Sequence, residues 1–299
     1  MKILVIGGSG FIGGHVALRL AALGHDVAIG SRRRPPTTTG MAALPFLKGD
    51  YVAGDFTIER LGDFDGLIFA AGNDARQRRP GENEATHLTR ANVVGIPRVF
   101  AAAREAGIAR AVYVGSFYPQ VVPHMIEQNA YVRSRWAADQ AVCKLATAKF
   151  GICSVNPPYI VGKVEGLDMP WLEGHARYAL GQMTHLPYFA PPGGVNFMSL
   201  EALGDALIGA LLKGEPGKSY LVGDENLTYQ QYFGCYRNAA GLSGAPPIHD
   251  AEHPLLPDWS LYAGRGGAAF YAPDEKDRAL LGYRRGDLNL AFAQIVNLI

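Results

Sequence analysis

Lys2-Ile3-Leu4-Val5-Ile6-Gly7-Gly8-Ser9-Gly10-Phe11-Ile12-Gly13-Gly14 decides the reading of this chain. Ile3 to Ile6 is a short unbroken apolar run, the pattern of a strand buried on both faces of a parallel sheet. After the glycines, Ile12, Val16 and Leu20 recur every four residues and mark one face of a helix. Gly24-His25-Asp26 closes that helix, and Val27-Ala28-Ile29 reads as the next strand. Strand, glycine loop, helix and strand within about 30 residues form the context of a dinucleotide-binding turn. Gly7, Gly8, Gly10, Gly13 and Gly14 would turn the chain tightly and make room for a pyrophosphate. The candidate contacts in this loop are Gly7, Gly10, Phe11, Ile12 and Gly13.

Cofactor choice is read at the end of the second strand, Gly30-Ser31-Arg32-Arg33-Arg34. NAD-binding units place an acid there to grip the ribose 2′-hydroxyl, and none is present. Arginine pairs bidentately with a 2′-phosphate and stacks on adenine. Ser31, Arg32 and Arg33 therefore predict NADP(H); the competing reading is a solvated basic loop. Tyr51-Val52-Ala53-Gly54-Asp55 reads as a third strand ending in an acid. Gly66-Leu67-Ile68-Phe69-Ala70-Ala71-Gly72 reads as a fourth, whose small last residues leave space for a cofactor over the strand ends.

The 299 residues are 48% hydrophobic and 18% charged, which excludes a disordered chain. Lys plus Arg is 28 and Asp plus Glu is 27, so nothing marks a nucleic-acid or anionic-membrane binder. Cys143, Cys153 and Cys235 are widely spaced, and the expected compartment is the reducing cytoplasm. No apolar run is long enough to span a bilayer. His175 and His185 lack ligand spacing, so no metal is expected.

At this point the chain resembles the extended short-chain dehydrogenase/reductase family, the epimerase/dehydratase-like Rossmann proteins. Gly7, Gly10 and Gly13 give its GxxGxxG loop. Asn92 in Ala91-Asn92-Val93-Val94-Gly95 resembles its helix asparagine, and Val112 to Ser116 its strand ending in the active-site serine. Asn156-Pro157-Pro158-Tyr159-Ile160-Val161-Gly162 resembles its proline segment beside the nicotinamide. Asn196 to Ser199 with Leu203 to Ala206 resembles the strand and helix that return to the first domain, and Tyr220 to Gly223 the last sheet strand. The resemblance implies a doubly wound parallel Rossmann α/β sheet over 1–162 with 196–223 returning to it. A smaller substrate-binding domain would comprise 163–195 and 224–299. It further implies cofactor contacts at Asp55, Phe56, Ala70, Ala71, Gly72, Asn92, Pro157 and Tyr159, and allows a homodimer built on helices beside the cofactor domain.

The family's catalytic core is a serine, a tyrosine and a lysine four residues later. Tyr131-Val132-Arg133-Ser134-Arg135 stands in its place, with Arg135 replacing the lysine and Ser116 as the serine. On a helix, positions i and i+4 share a face, about 6 Å apart along the axis. A tyrosine near pKa 10 needs about 4 kcal/mol of preference for its anion to titrate near 7. Arg135 supplies a permanent cation toward that, though it is bulkier and planar. Ser116 would donate to the substrate oxygen. Tyr159 to Lys163 is a literal YxxxK, but it includes a glycine and follows a strand. It is therefore discounted.

Past Gly162, Trp171, His175, Tyr178, Tyr188, Phe189, Trp259, Tyr262, Phe270 and Tyr271 suggest either a partly apolar substrate pocket or the core of a small domain. The leading expectation is an NADP(H)-dependent reductase or dehydrogenase of a small organic carbonyl or hydroxyl compound. One alternative is a nucleotide-sugar epimerase or dehydratase with bound NAD, for which Arg177, Arg237 and Arg265 are loose diphosphate candidates. Another is a nucleotide-binding regulator or scaffold that has lost catalysis.

Overall fold

The computed structural model describes residues 1–299, the side chain of Ala75 excepted. In chain order the strands are β1 (Lys2–Ile6), β2 (Asp26–Ser31), β3 (Phe46–Lys48), β4 (Gly66–Phe69), β5 (Arg110–Val114), β6 (Gly151–Asn156), β7 (Tyr159–Val161), β8 (Gly194–Ser199), β9 (Ser219–Leu221), β10 (Glu225–Thr228) and β11 (Ala268–Ala269).

Seven of them form one sheet in the order β3-β2-β1-β4-β5-β6-β9, every neighbouring pair parallel. The apolar run of β1 follows from its central place: Ile3 and Val5 enter one core cluster, Leu4 and Ile6 the other. The helices Phe11–Ala22 and Leu200–Lys213 cover the first face through Val16, Leu20, Leu203 and Leu207. The helices Ile96–Glu105 and Ala130–Cys143 cover the second through Val99, Phe100, Ala138 and Val142. Each such Val, Leu or Phe contributes about 1.5–3 kcal/mol relative to exposure. This is the doubly wound parallel sheet expected from the sequence. Its order reverses beside β1, so the loops after β1 and β4 part and open a crevice at the strand ends.

The smaller sheet is built on β8, which pairs with β10 antiparallel and with β7 and β11 in parallel. The helices Pro170–Ala179, Tyr229–Ala239 and Leu288–Val296 enclose its core of Phe197, Tyr232, Tyr236 and Phe292.

Two expectations are corrected. The third strand is Phe46–Lys48, and Tyr51–Gly54 is a turn. Asp50 Oδ1 accepts the Val52 N–H at 2.9 Å, and Asp55 Oδ2 accepts the Asp50 N–H at 2.8 Å. These short-range bonds give the backbone an alternative to a sheet ladder. The strand Asn196–Ser199 lies in the smaller sheet rather than rejoining the large one. Pro157 and Pro158 offer no N–H after β6, the chain leaves the first sheet there, and β7 finds β8. Only the following helix, Leu200–Lys213, and β9 return to the large sheet.

Gly7 (φ +86°) runs against the backbone of Ala70 and Ala71 at 2.7 Å from where its Cβ would stand. A Cβ on Gly13 would strike the Gly7 carbonyl. Gly13→Ala is expected to cost about 1–3 kcal/mol. Gly10→Ala meets nothing nearer than 3.4 Å at φ −105° and should cost under about 1 kcal/mol. Thermal denaturation of the two variants checks the contrast.

Candidate active site

A cleft of about 790 Å³ lies across the C-terminal ends of β1, β4, β5 and β6. One wall is the first-sheet side: Gly7, Gly10, Phe11, Ile12 and Gly13, then Ala70 and Gly72, then Ser116. Tyr131, Arg135, Pro157 and Tyr159 complete that side. The facing wall comes from the helices around the smaller sheet and from the C-terminal segment, with Trp171, His175, Tyr229, Leu255 to Pro257 and Trp259 to Tyr262.

The glycine loop can cradle a phosphate. The helix Phe11–Ala22 begins at Gly10 without a side-chain cap, and its first backbone bond runs from Gly14 N to Gly10 O at 2.7 Å. The earlier N–H groups of that turn are the ones a phosphate would accept from. Space over Gly72 is open, with nothing within 4 Å of a Cβ placed there. Gly8 and Gly14 serve packing instead: their missing side chains are replaced by Ile29 and Met41.

The other expected cofactor contacts divide. Ser31, Arg32 and Arg33 stand at the end of β2, beyond the lined cleft; Ser31 Oγ donates to Arg33 O at 2.6 Å. Arg32 and Arg33 are exposed and form no ion pair among the described residues. Asp55 is exposed and bonded to the Asp50 N–H. Phe56 is buried against Gly30 and under the Arg60 guanidinium. Ala71 packs against the second-face core. Asn92 is fully buried in the π-helical stretch Thr89–Gly95, a distortion frequent at functional sites. Its Nδ2 donates to Asn73 O at 3.1 Å and to Ser134 Oγ at 3.0 Å, while its Oδ1 has no partner. Ser134 Oγ in turn donates to Tyr131 O at 2.8 Å, so Asn92 braces the turn that carries Tyr131.

Arg135 is buried, and its Nη2 donates to Val114 O and Gly115 O, both at 2.7 Å. Its guanidinium carbon lies 5.3 Å from the Tyr113 ring centroid and 6.0 Å from that of Tyr131. Burial works against the charge. The phenols of Tyr113, Tyr131 and Tyr51 and the Asp139 carboxylate outweigh it and hold the cation. Its Nε is buried without a partner. Ser116 is anchored by its own N–H, which donates to Asn156 Oδ1 at 2.9 Å. Tyr131, Arg135 and Ser116 thus meet at one cleft. Lys163 of the discounted YxxxK pairs with Glu165 at 2.7 Å.

Aromatic rings dominate the facing wall. Tyr262 stacks on Tyr131, centroids 4.4 Å apart and planes 14° from parallel. Tyr118 meets Tyr262 edge-on at 5.2 Å, and Phe11 meets Trp171 edge-on at 5.8 Å. His175 Nε2 lies 3.0 Å from Leu255 O and Nδ1 2.8 Å from Tyr232 OH. The carbonyl can only accept, so Nε2 carries the hydrogen and Nδ1 accepts. Burial lowers the His175 pKa to about 4, leaving a neutral imidazole. The Tyr159 ring packs against Phe197 and Tyr232 of the small-domain core. Arg76 also lines the cleft, clamped by Asp74 with Nη2 to Oδ2 at 2.7 Å. Asn73, Asp74, Arg76, Tyr229, Leu255, Leu256, Ser260 and Leu261 also line the cleft and were not singled out from the sequence. Asn73, directly after Ala70-Ala71-Gly72, carried the one local signal: a polar residue at a strand end.

Comparison with known proteins follows the same geometry. The model of the NAD dependent epimerase/dehydratase family matches residues 3–171. A provisionally named dihydroflavonol 4-reductase of Synechocystis is 27% identical, the match covering 81% of this chain and 72% of that protein. The 2-alkyl-3-oxoalkanoate reductase of Stenotrophomonas maltophilia is 28% identical over 59% of this chain and 56% of its own. Among solved structures, a UDP-glucose-4-epimerase of Stenotrophomonas maltophila with bound NAD and formylated UDP-arabinopyranose superposes with TM-score 0.76. It is 16% identical, and the match covers 99% of this chain and 97% of that one. No helix among the described residues is long and apolar enough to cross a membrane. With more than half its length matched by that model, this chain belongs to the NAD dependent epimerase/dehydratase family.

Proposed function

We propose that this chain is an NADP(H)-dependent oxidoreductase that reduces the carbonyl of a small, largely apolar organic compound, or oxidises the matching alcohol. The observation that carries this reading is the cleft itself, where Ser116, Tyr131 and Arg135 face an aromatic wall with no free cation. Of the two arginines lining it, Arg76 is neutralised by Asp74 and Arg135 is engaged by two carbonyls. Arg237 bonds Ala179 O and Ser243 O, and Arg265 pairs with Asp250 and Asp258. Neither lines the cleft, nor does Arg177. A nucleotide sugar brings a diphosphate, which calls for such groups. The rings of Tyr118, Trp171, Tyr229, Trp259 and Tyr262 favour an uncharged substrate instead.

The glycine cradle and the open space over Gly72 would hold the dinucleotide, with Arg32 and Arg33 at the adenosine ribose. A bound nicotinamide supplies or accepts the hydride. The chain's own part is to place and protonate the oxygen. Ser116 Oγ donates a hydrogen bond to it, and the Tyr131 hydroxyl transfers its proton as the carbonyl becomes an alcohol. Arg135 keeps its guanidinium 6.0 Å from the Tyr131 ring centroid, and Tyr262 covers that ring and keeps water from it. Because arginine does not titrate near neutrality, Arg135 fixes charge and does not relay protons.

The second reading, an epimerase with retained NAD, is favoured by structural neighbours described in complex with NAD. The free thiols Cys143, Cys153 and Cys235 fit a cytoplasmic protein. Val94 and Trp136, exposed on neighbouring helices, are the surface on which a homodimer would form.

Tyr131→Phe is expected to lower kcat by about 100- to 10,000-fold while NADPH binding stays within about threefold. Turnover at the wild-type level with cofactor bound would remove Tyr131 from the chemistry. Arg32→Ala combined with Arg33→Ala is expected to weaken NADPH by about 10- to 100-fold and leave NADH unchanged. Fluorescence titration of both nucleotides measures this, and a wild-type preference for NADH would refute the arginine argument.

A further inference from the structure

The helix Ala130–Cys143 carries three functional side chains four residues apart: Tyr131, Arg135 and Asp139. Tyr131 reaches the cleft, and Arg135 holds the carbonyls of Val114 and Gly115. Asp139 lies deeper, is buried, and forms no ion pair among the described residues. The mechanism above leaves this carboxylate without a role.

Its partners lead to Ser116. Ser219 Oγ donates to both Asp139 oxygens at 3.0 Å, and Asn156 Nδ2 donates to Asp139 Oδ1 at 3.3 Å. Asn156 Nδ2 also lies 2.8 Å from Ser219 Oγ and 3.0 Å from Gln120 Oε1. Asn156 Oδ1, on the other side of the amide, accepts the N–H of Ser116 at 2.9 Å and the hydroxyl of Ser154 at 3.2 Å. An ionised carboxylate only accepts, so Asp139 draws the NH₂ toward itself. That choice turns the amide oxygen toward Ser116. The oxygen sits where a side chain on residue 115 would stand, which is why Gly115 is required.

We propose that Asp139 and Asn156 are positioning residues that set the Ser116 hydroxyl relative to Tyr131. The Val114–Ser116 turn is held from two sides: the carbonyls of 114 and 115 by Arg135 of the helix, and the Ser116 N–H by Asn156 of β6, whose amide Asp139 of the same helix orients. The same helix delivers Tyr131. Both groups that would touch the substrate oxygen are thereby referenced to this helix, Tyr131 directly and Ser116 through Arg135 and the Asp139–Asn156 pair. The inference rests on the reading of Ser116 and Tyr131 given above.

The test exchanges the two groups. In Asn156→Asp, two carboxylates face each other and the anchor fails. In the double variant Asn156→Asp with Asp139→Asn, the carboxylate at 156 still accepts from Ser116 N–H and now receives an N–H from residue 139. Two readouts are followed in the full chain: amide hydrogen exchange of the peptide spanning residues 114–118, and kcat with the NADPH dissociation constant. The single variant is expected to lose about tenfold in exchange protection and in kcat. NADPH binding should stay within about twofold, and the double variant should return within about threefold of wild type. Asp139→Asn alone keeps one acceptor and should fall between. If Asn156→Asp is unfolded, recovery of a folded, protected turn in the double variant supports the proposal equally. The proposal is overturned if the double variant is no closer to wild type than Asn156→Asp, or if the single change leaves the 114–118 amides protected. A wild-type protein that reduces no carbonyl compound would sink the oxidoreductase reading alone, since the exchange comparison needs no turnover.

Discussion

The guanidinium of Arg135 on the carbonyls of Val114 and Gly115 is the contact on which the site depends. It joins the end of β5 to the helix Ala130–Cys143, and so joins the serine that would grip the substrate oxygen to the tyrosine that would protonate it. A buried cation costs several kcal/mol unless its surroundings answer it. Here two carbonyl dipoles, the faces of Tyr113 and Tyr131, and the Asp139 carboxylate one turn further along provide that answer. One nitrogen, Nη2, reaches both carbonyls; a lysine would bring a titratable ammonium here, whereas the guanidinium keeps its charge at any pH near neutrality. The arginine therefore combines a fixed charge and a structural clamp in one side chain.

The architecture around this contact follows from the sheet order. The loops after β1 and β4 part because the strand order reverses there, and the crevice they leave receives the glycine turn. The helices around the smaller sheet and the C-terminal segment then close the other side with rings rather than charges. Tyr262 stacked on Tyr131 links the two walls directly. His175, held neutral by burial, pins Leu255 of the same wall through its carbonyl.

Legibility in the sequence followed the range of the interactions. The glycine turn, β1 and the helix after it were readable because their contacts close within about 30 residues. Ser116, Tyr131 and Arg135 were found by resemblance, and they do meet at the cleft. The third strand was misread because Asp50 and Asp55 satisfy nearby N–H groups, a local competition that apolar patterning does not register. The placement of Asn196 to Ser199 failed because strand partnership is a tertiary choice, decided by β7 turning away after Pro157 and Pro158. Asp139, Asn156 and Ser219 form one network from three distant segments, and no spacing announces it. The aromatic residues past Gly162 divide in the structure: Tyr178 and Phe189 are core, while Trp171, Trp259 and Tyr262 line the cleft.

The central claim is that an aromatic, cation-poor cleft with a fixed Arg135 serves NADP(H)-linked reduction of an uncharged carbonyl compound. The most direct measurement is one assay on the purified protein: bound nucleotide after gel filtration, followed by turnover on a panel of aromatic ketones and UDP-sugars. The expected result is no retained nucleotide, and NADPH oxidation with at least one uncharged aromatic ketone. Retained NAD together with interconversion of a UDP-sugar, and no ketone turnover, would contradict it.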